Sequence, residues 1–128
     1  MTNEAIGTWD DQFAKTSPAV QALAEVLRRR ILDLHPSSVE VVRPGDGSVS
    51  FGHGPKKMSE AYVYLAPHTG RVNLGFYRGA YLADPSEQLE GTGKALRHIK
   101  VATRSLAESA EIESLIAQAI AERRQALG

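Results

Sequence analysis

Apolar and polar residues alternate with two different periods, and the change of period divides the chain into helical flanks and a stranded middle. Val20, Leu23, Leu27, Ile31 and Leu34 recur at spacings of three and four, which puts them on one face of a helix. Ser17 followed by Pro18 is the expected start of that helix, and Pro36 ends it by keeping the preceding residue out of helical angles. A shorter helix, Trp9 to Lys15 with Thr8 as its cap, places Trp9 and Phe13 four apart on one face. At the other end Ile112, Leu115, Ile116, Ala119 and Ile120 form a second apolar stripe, running to about Gln125. Ser105-x-x-Glu108 has the form of a capping box, and Ser109 offers a second cap. Arg123 and Arg124 lie in the last turn, where cations suit the helix dipole.

Between these helices the period falls to two. Ser38 to Arg43 (SVEVVR) and Ser48 to His53 (SVSFGH) read as strands joined by the turn Pro44-Gly45-Asp46-Gly47. Ser59 to Ala66 is a third strand, with Tyr62 and Tyr64 on one face and Val63 and Leu65 on the other. Pro67-His68-Thr69-Gly70 turns it into a fourth, Gly70 to Tyr77, half-buried by its alternation, with Val72, Leu74 and Phe76 on one face and Arg71, Asn73, Gly75 and Tyr77 on the other. A loop from about Arg78 to Gly93 leads to a fifth, Ala95 to Val101. Short turns between consecutive strands favour an antiparallel meander, and the lack of alternating helices argues against a parallel α/β sheet. The expected fold is α+β: one antiparallel sheet of about five strands with N-terminal and C-terminal helices packed against it. Residues 1–128 form one domain on this reading, with residues 1–7 a loose tail.

Composition narrows the function. The chain has no cysteine, so it offers no disulfide framework, thiolate nucleophile or cysteine metal site. No apolar run approaches the ~20 residues that span a bilayer, and the N-terminus lacks the pattern of a signal peptide, which together point to a cytoplasmic protein. Fifteen basic residues balance fifteen acidic ones, but unevenly: residues 43–104 hold nine basic and five acidic residues, net +4, while each flank is net −2. That footprint is weak for nucleic acid.

Most of the candidate chemistry lies in Gly75 to Val101, where glycines, aromatics and cations gather. The long loop brings Arg78 and Lys94 towards Arg97, His98 and Lys100, with Tyr77 and Tyr64 as walls. Arg78 and Arg97 have a second reading, as ion-pair partners of Asp84, Glu87 or Glu90 that only hold the loop shut. Gly91-Thr92-Gly93-Lys94 is not a nucleotide loop, because Gln88 stands where the first glycine of that motif belongs and Ala95 follows the lysine. Arg28-Arg29-Arg30 reads as a solvated basic helix end or as a phosphate or carboxylate site. His35 reads as a helix cap or surface residue, and His53 lies between two glycines that allow close backbone approach. His35, His53, His68 and His98 lie too far apart in sequence to show metal-ligand spacing.

The words GFxRGA (residues 75–80), Asp84-Pro85, LEGTGK (89–94) and RHIK (97–100), with His35-Pro36 and Glu40 at the first helix-to-strand junction, resemble the YdhG-like family of domains of unknown function. The resemblance covers roughly residues 15–125. It implies an α+β domain structurally near frataxin, and through some relatives an iron chaperone whose ligands the motifs do not identify. The sequence therefore leads to a non-enzymatic binding domain. It would hold a small anionic ligand or acidic partner segment near the Arg78–Lys94 loop through Arg78, Lys94, Arg97, His98, Tyr77 and Tyr64, with no cofactor. The alternative is a frataxin-like intracellular iron chaperone, with iron bound by surface carboxylates and by His53 or His98. An enzyme with a site of unrecognised form is the third class. A homodimer through a sheet edge or the terminal helix fits all three.

Overall fold

The computed structural model describes residues 8–128; the expected tail at residues 1–7 lies outside the described residues. Helix α1 (Trp9–Phe13) is capped by Thr8, whose side chain accepts the Asp11 N–H while the Asp11 carboxylate accepts the Thr8 N–H. Helix α2 (Pro18–Leu34) starts at the expected Ser17 cap and buries Val20, Leu23, Leu27 and Ile31. Leu34 departs from that stripe: it is exposed at the helix end, and the chain turns inward one residue later, at His35. Strands β1 (Val39–Arg43), β2 (Ser48–Gly52), β3 (Ala61–His68), β4 (Arg71–Phe76) and β5 (Arg97–Val101) follow. Helix α3 (Arg104–Ala107) and helix α4 (Ala110–Leu127) close the chain.

The five strands form one sheet in sequence order, every neighbour antiparallel. Helices α2 and α4 lie on one face. That face carries Val49, Phe51, Val63, Leu65, Val72, Leu74, Phe76, Ile99 and Val101, and these pack with the helix stripes into one core. The expected α+β fold is therefore present, with small differences of boundary. The third strand begins at Ala61 and takes in Pro67 and His68, so the turn shrinks to Thr69-Gly70, with Gly70 at φ 74. Pro67 is tolerated because the β2 pairing stops at Leu65, so no ladder bond to β2 is lost.

Two expectations are corrected. Ser105-x-x-Glu108 is not a capping box: Thr103 caps α3 by accepting the Leu106 N–H, Ser105 lies inside that helix, and Glu108 pairs with Arg104. Ser109 caps α4, as its sequence position suggests. The second correction concerns Tyr62 and Tyr64, which do not share a face. Phe51 pairs with Val63 but Gly52 pairs with Ala61, so Tyr62 is the extra residue of a bulge. The bulge turns its ring into the core, at 1% exposure, while Tyr64 stays on the other face.

Candidate functional site

Among the described residues, no helix covers the second face of the sheet. Antiparallel register places Ser48 and Ser50, Tyr64 and Ala66, Asn73 and Gly75, and His98 and Lys100 side by side across four strands. The middle of this face is built from small residues. Tyr64 fills the space above Gly75, and its ring centroid lies 5.4 Å from that of Tyr77. A shallow concavity of about 310 Å³ lies along this wall, bordered by Asp46, Lys57, His68 and Leu96. Burial pushes the Tyr77 hydroxyl up to about 12, against an opposing pull from the Arg43 guanidinium, and burial raises Tyr64 as well. Both are neutral hydroxyls at ordinary pH, able to donate and accept.

Charge on this face is predominantly positive. Arg43 donates to Ser50 Oγ at 2.9 Å and to the Pro55 carbonyl. Lys57 pairs with Asp46 at 2.9 Å, Arg71 donates to Asn73, and Lys100 pairs with Glu90 at 3.5 Å. Four permanent cations thus stand against two carboxylates.

The residues named from sequence do not converge on one point. Tyr64, Tyr77 and His98 belong to the uncovered face. Arg97 pairs with Phe76 in register and so belongs to the helix-facing side. Its guanidinium donates to the Gly93 and Leu96 carbonyls at 2.6 and 2.7 Å, which clamps the end of the loop. Arg78 donates to the Met58 carbonyl at 2.7 Å. Neither arginine pairs with Asp84, Glu87 or Glu90. The Asp84 carboxylate instead accepts the Gln88 and Leu89 N–H groups, and Glu90 exchanges two backbone bonds with His98 that close the β5 edge. Lys94 is exposed in the loop. Arg43, Lys57, Asn73 and His68 are not among the site residues expected from sequence; strand register and the fold of the 53–60 loop bring them together on the face. The alternation of β1 with β2 is the one sequence signal that could have placed Arg43.

The arginine run on α2 is structural in two of its three members. Arg28 makes two 2.9 Å bonds to Glu40 and stands 4.4 Å over the Trp9 ring. Arg30 donates to the Glu108 and Ser109 carbonyls and pairs with Glu113.

A second cluster lies on the helix side. His35 is the α2 C-cap, but it is buried rather than a surface residue. Its Nδ1 lies 2.8 Å from the Tyr62 hydroxyl, which bonds Ser38 Oγ at 2.8 Å. The His53 ring packs 4.8 Å from the His35 ring, and its Nε2 lies 2.9 Å from the Ile120 carbonyl of α4. What approaches the glycines beside His53 is Glu60, whose carbonyl crowds Gly52 and whose carboxylate lies over Gly54. Among the described residues, no three of His, Asp and Glu come together as a metal site. No helix among them is long and apolar enough to cross a membrane.

Fold and face together define an α+β protein with a single antiparallel sheet, helices on one side and an accessible, cation-bordered tyrosine face on the other. No family model, curated protein or solved structure matches the chain.

Proposed function

We propose that the protein is a non-enzymatic binding domain of YdhG-like type that holds a carboxylate- or phosphate-bearing ligand against the uncovered face of its sheet. The supporting observation is the tyrosine-walled concavity bordered by Lys57, with cations in excess along the face. Lys57 and Arg43 would meet the anion, Tyr64 and Tyr77 would supply neutral hydroxyls and apolar wall, and Asn73 an amide. The cavity is shallow and open to solvent, which suits an anionic group lying across the strands better than one enclosed in a pocket. This reading keeps the anionic ligand expected from sequence and moves its cationic donors from Arg78 and Arg97 to Arg43 and Lys57, because Arg43 shares the uncovered face with Ser48 and Lys57 borders the concavity, whereas Arg97 lies on the helix-facing side and Arg78 is turned to the Met58 carbonyl.

An NMR titration of the whole protein tests it, with inorganic phosphate in one arm and a short polyglutamate peptide in the other. Shifts should gather at residues 43, 57, 64, 73 and 77, and should vanish in Lys57→Ala. A response to phosphate alone identifies a free small anion, and a response to peptide alone an acidic segment. Shifts spread over the helices, or none, would sink the proposal. Ferrous iron added to the same sample distinguishes the iron-chaperone reading, which requires a response at carboxylates and histidines that neither anion produces.

A further inference from the structure

The histidine pair sits where four parts of the fold meet. His35 ends α2, Ser38 precedes β1, Tyr62 is the bulge residue of β3, and His53 opens the β2–β3 loop. The Ile120 carbonyl can only accept, so the His53 Nε2 carries a proton and donates it to α4. With the Tyr62 proton directed at Ser38, the His35 Nδ1 donates to Tyr62. The two rings pack 4.8 Å apart.

The far end of the same loop is tied to the same helix. Arg123, which is buried, donates to the Ser59 carbonyl at 2.9 Å. The 53–60 loop is thus fastened to the last turns of α4 at both ends, and one fastening is a histidine.

The charges around the pair are mostly positive. Arg124 on α4 acts on both His35 and Tyr62. The nearby carboxylates are otherwise engaged: Glu60 accepts the Lys56 N–H, and Glu122 holds Arg123 in two bonds. Asp33 is exposed and bonds neither ring. Among the described residues, no carboxylate bonds either imidazole. A cation formed at this pair would have a second imidazole and an arginine as neighbours, with no counter-ion.

We infer that the His35–His53 pair is a proton-operated latch, which holds the β2–β3 loop and the end of α4 against the sheet and releases them when a proton is taken up. Burial, then the charges of His53 and Arg124, lower the His35 pKa below its ordinary 6.5, so the closed state resists protonation and the open state accepts it. The released loop carries Lys57, so opening would also remove a border of the tyrosine face. That last step rests on the proposed function; the latch does not.

Hydrogen exchange of the full chain, without ligand and corrected for intrinsic rates, tests it at about pH 7.5 and about pH 5.5, on either side of the ordinary histidine range. Residues 53–60 and 120–127 should lose protection in acid, roughly tenfold for each unit by which the folded state disfavours the His35 proton, while β4 keeps its own. The loss should disappear in the variant carrying both His35→Gln and His53→Gln. Should that variant fail to fold, a histidine titration of the wild-type protein by NMR decides. The inference requires His35 protonation to coincide with loosening of the two segments, and is overturned if His35 titrates while they stay protected. Equal loss across all strands, or an unchanged loss in the double variant, overturns it equally.

Discussion

The Tyr64 ring occupies the space that a β-carbon at position 75 would fill, so the wall of the concavity depends on a glycine one strand away. Gly75→Ala should displace the ring and cost about 1–3 kcal/mol in urea denaturation, the range for overpacking a site that cannot yield. Adding Tyr64→Ala should recover most of that loss, because the two positions compete for one volume. An unaltered midpoint in Gly75→Ala would contradict this geometry. Tyr62 poses the converse case, since its hydroxyl serves two partners in the core. Tyr62→Phe leaves His35 Nδ1 and Ser38 Oγ each without that bond, and should cost about 1–3 kcal/mol by the same measurement. No sequence pattern distinguishes these two tyrosines. They stand two apart in one strand, and only the bulge sends their rings to opposite sides.

Among the elements, the helices were the most legible. Thr8, Ser17 and Ser109 cap as their positions suggest, since a cap is a contract between residues three apart. Ser17→Ala should lower stability by about 1 kcal/mol in thermal unfolding. The Ser105 expectation failed because Thr103 offers an equivalent cap two residues earlier and wins the helix start. The long loop before β5 is legible in the sequence, but the groups that hold it are not. Its carbonyls, rather than its carboxylates, take up Arg97. Arg97→Ala should therefore speed hydrogen exchange over residues 91–96, move the unfolding midpoint by no more than about 0.5–1.5 kcal/mol, and leave anion affinity unchanged. A fall in affinity without loosening of the loop would place Arg97 in the binding site instead.

For the whole molecule, three groups of sites set the pH range of stability. The unfolded chain takes up a proton at His35 first, near the ordinary 6.5, so stability present above that pH is lost as pH falls towards the lowered folded value. Glu122 adds a second step: its hydrogen bonds to Arg123 hold the carboxyl below its ordinary 4.5, and the stability present above 4.5 is lost below it. On the alkaline side burial pushes Tyr62 and Tyr77 up to about 12, so stability present below their ordinary 10.0 is lost between those values. Chemical denaturation across this range should show a decline beginning near neutrality, a steeper one in acid, and alkaline unfolding that coincides with the rise of tyrosinate absorbance. Tyrosinate appearing in full near pH 10 without unfolding would refute the buried state of these two hydroxyls.

Local architecture follows from the chain alone: which stretches coil, which extend, where three of the four helices begin, and that consecutive strands pair. Those outcomes depend on residues two to four apart, whose periodicity is written directly in the chain. Which partner each cation finds and which histidines meet depends on the folded arrangement. Arg78 and Arg97 found carbonyl partners on the backbone, Arg28 found Glu40 across an element boundary, and His35 reached His53 eighteen positions along the chain. Such pairings follow from sheet register, from the one-residue bulge at Tyr62 and from the docking of α4. A single-residue slip in register exchanges the two faces of a strand, so no reading of composition or spacing can anticipate them.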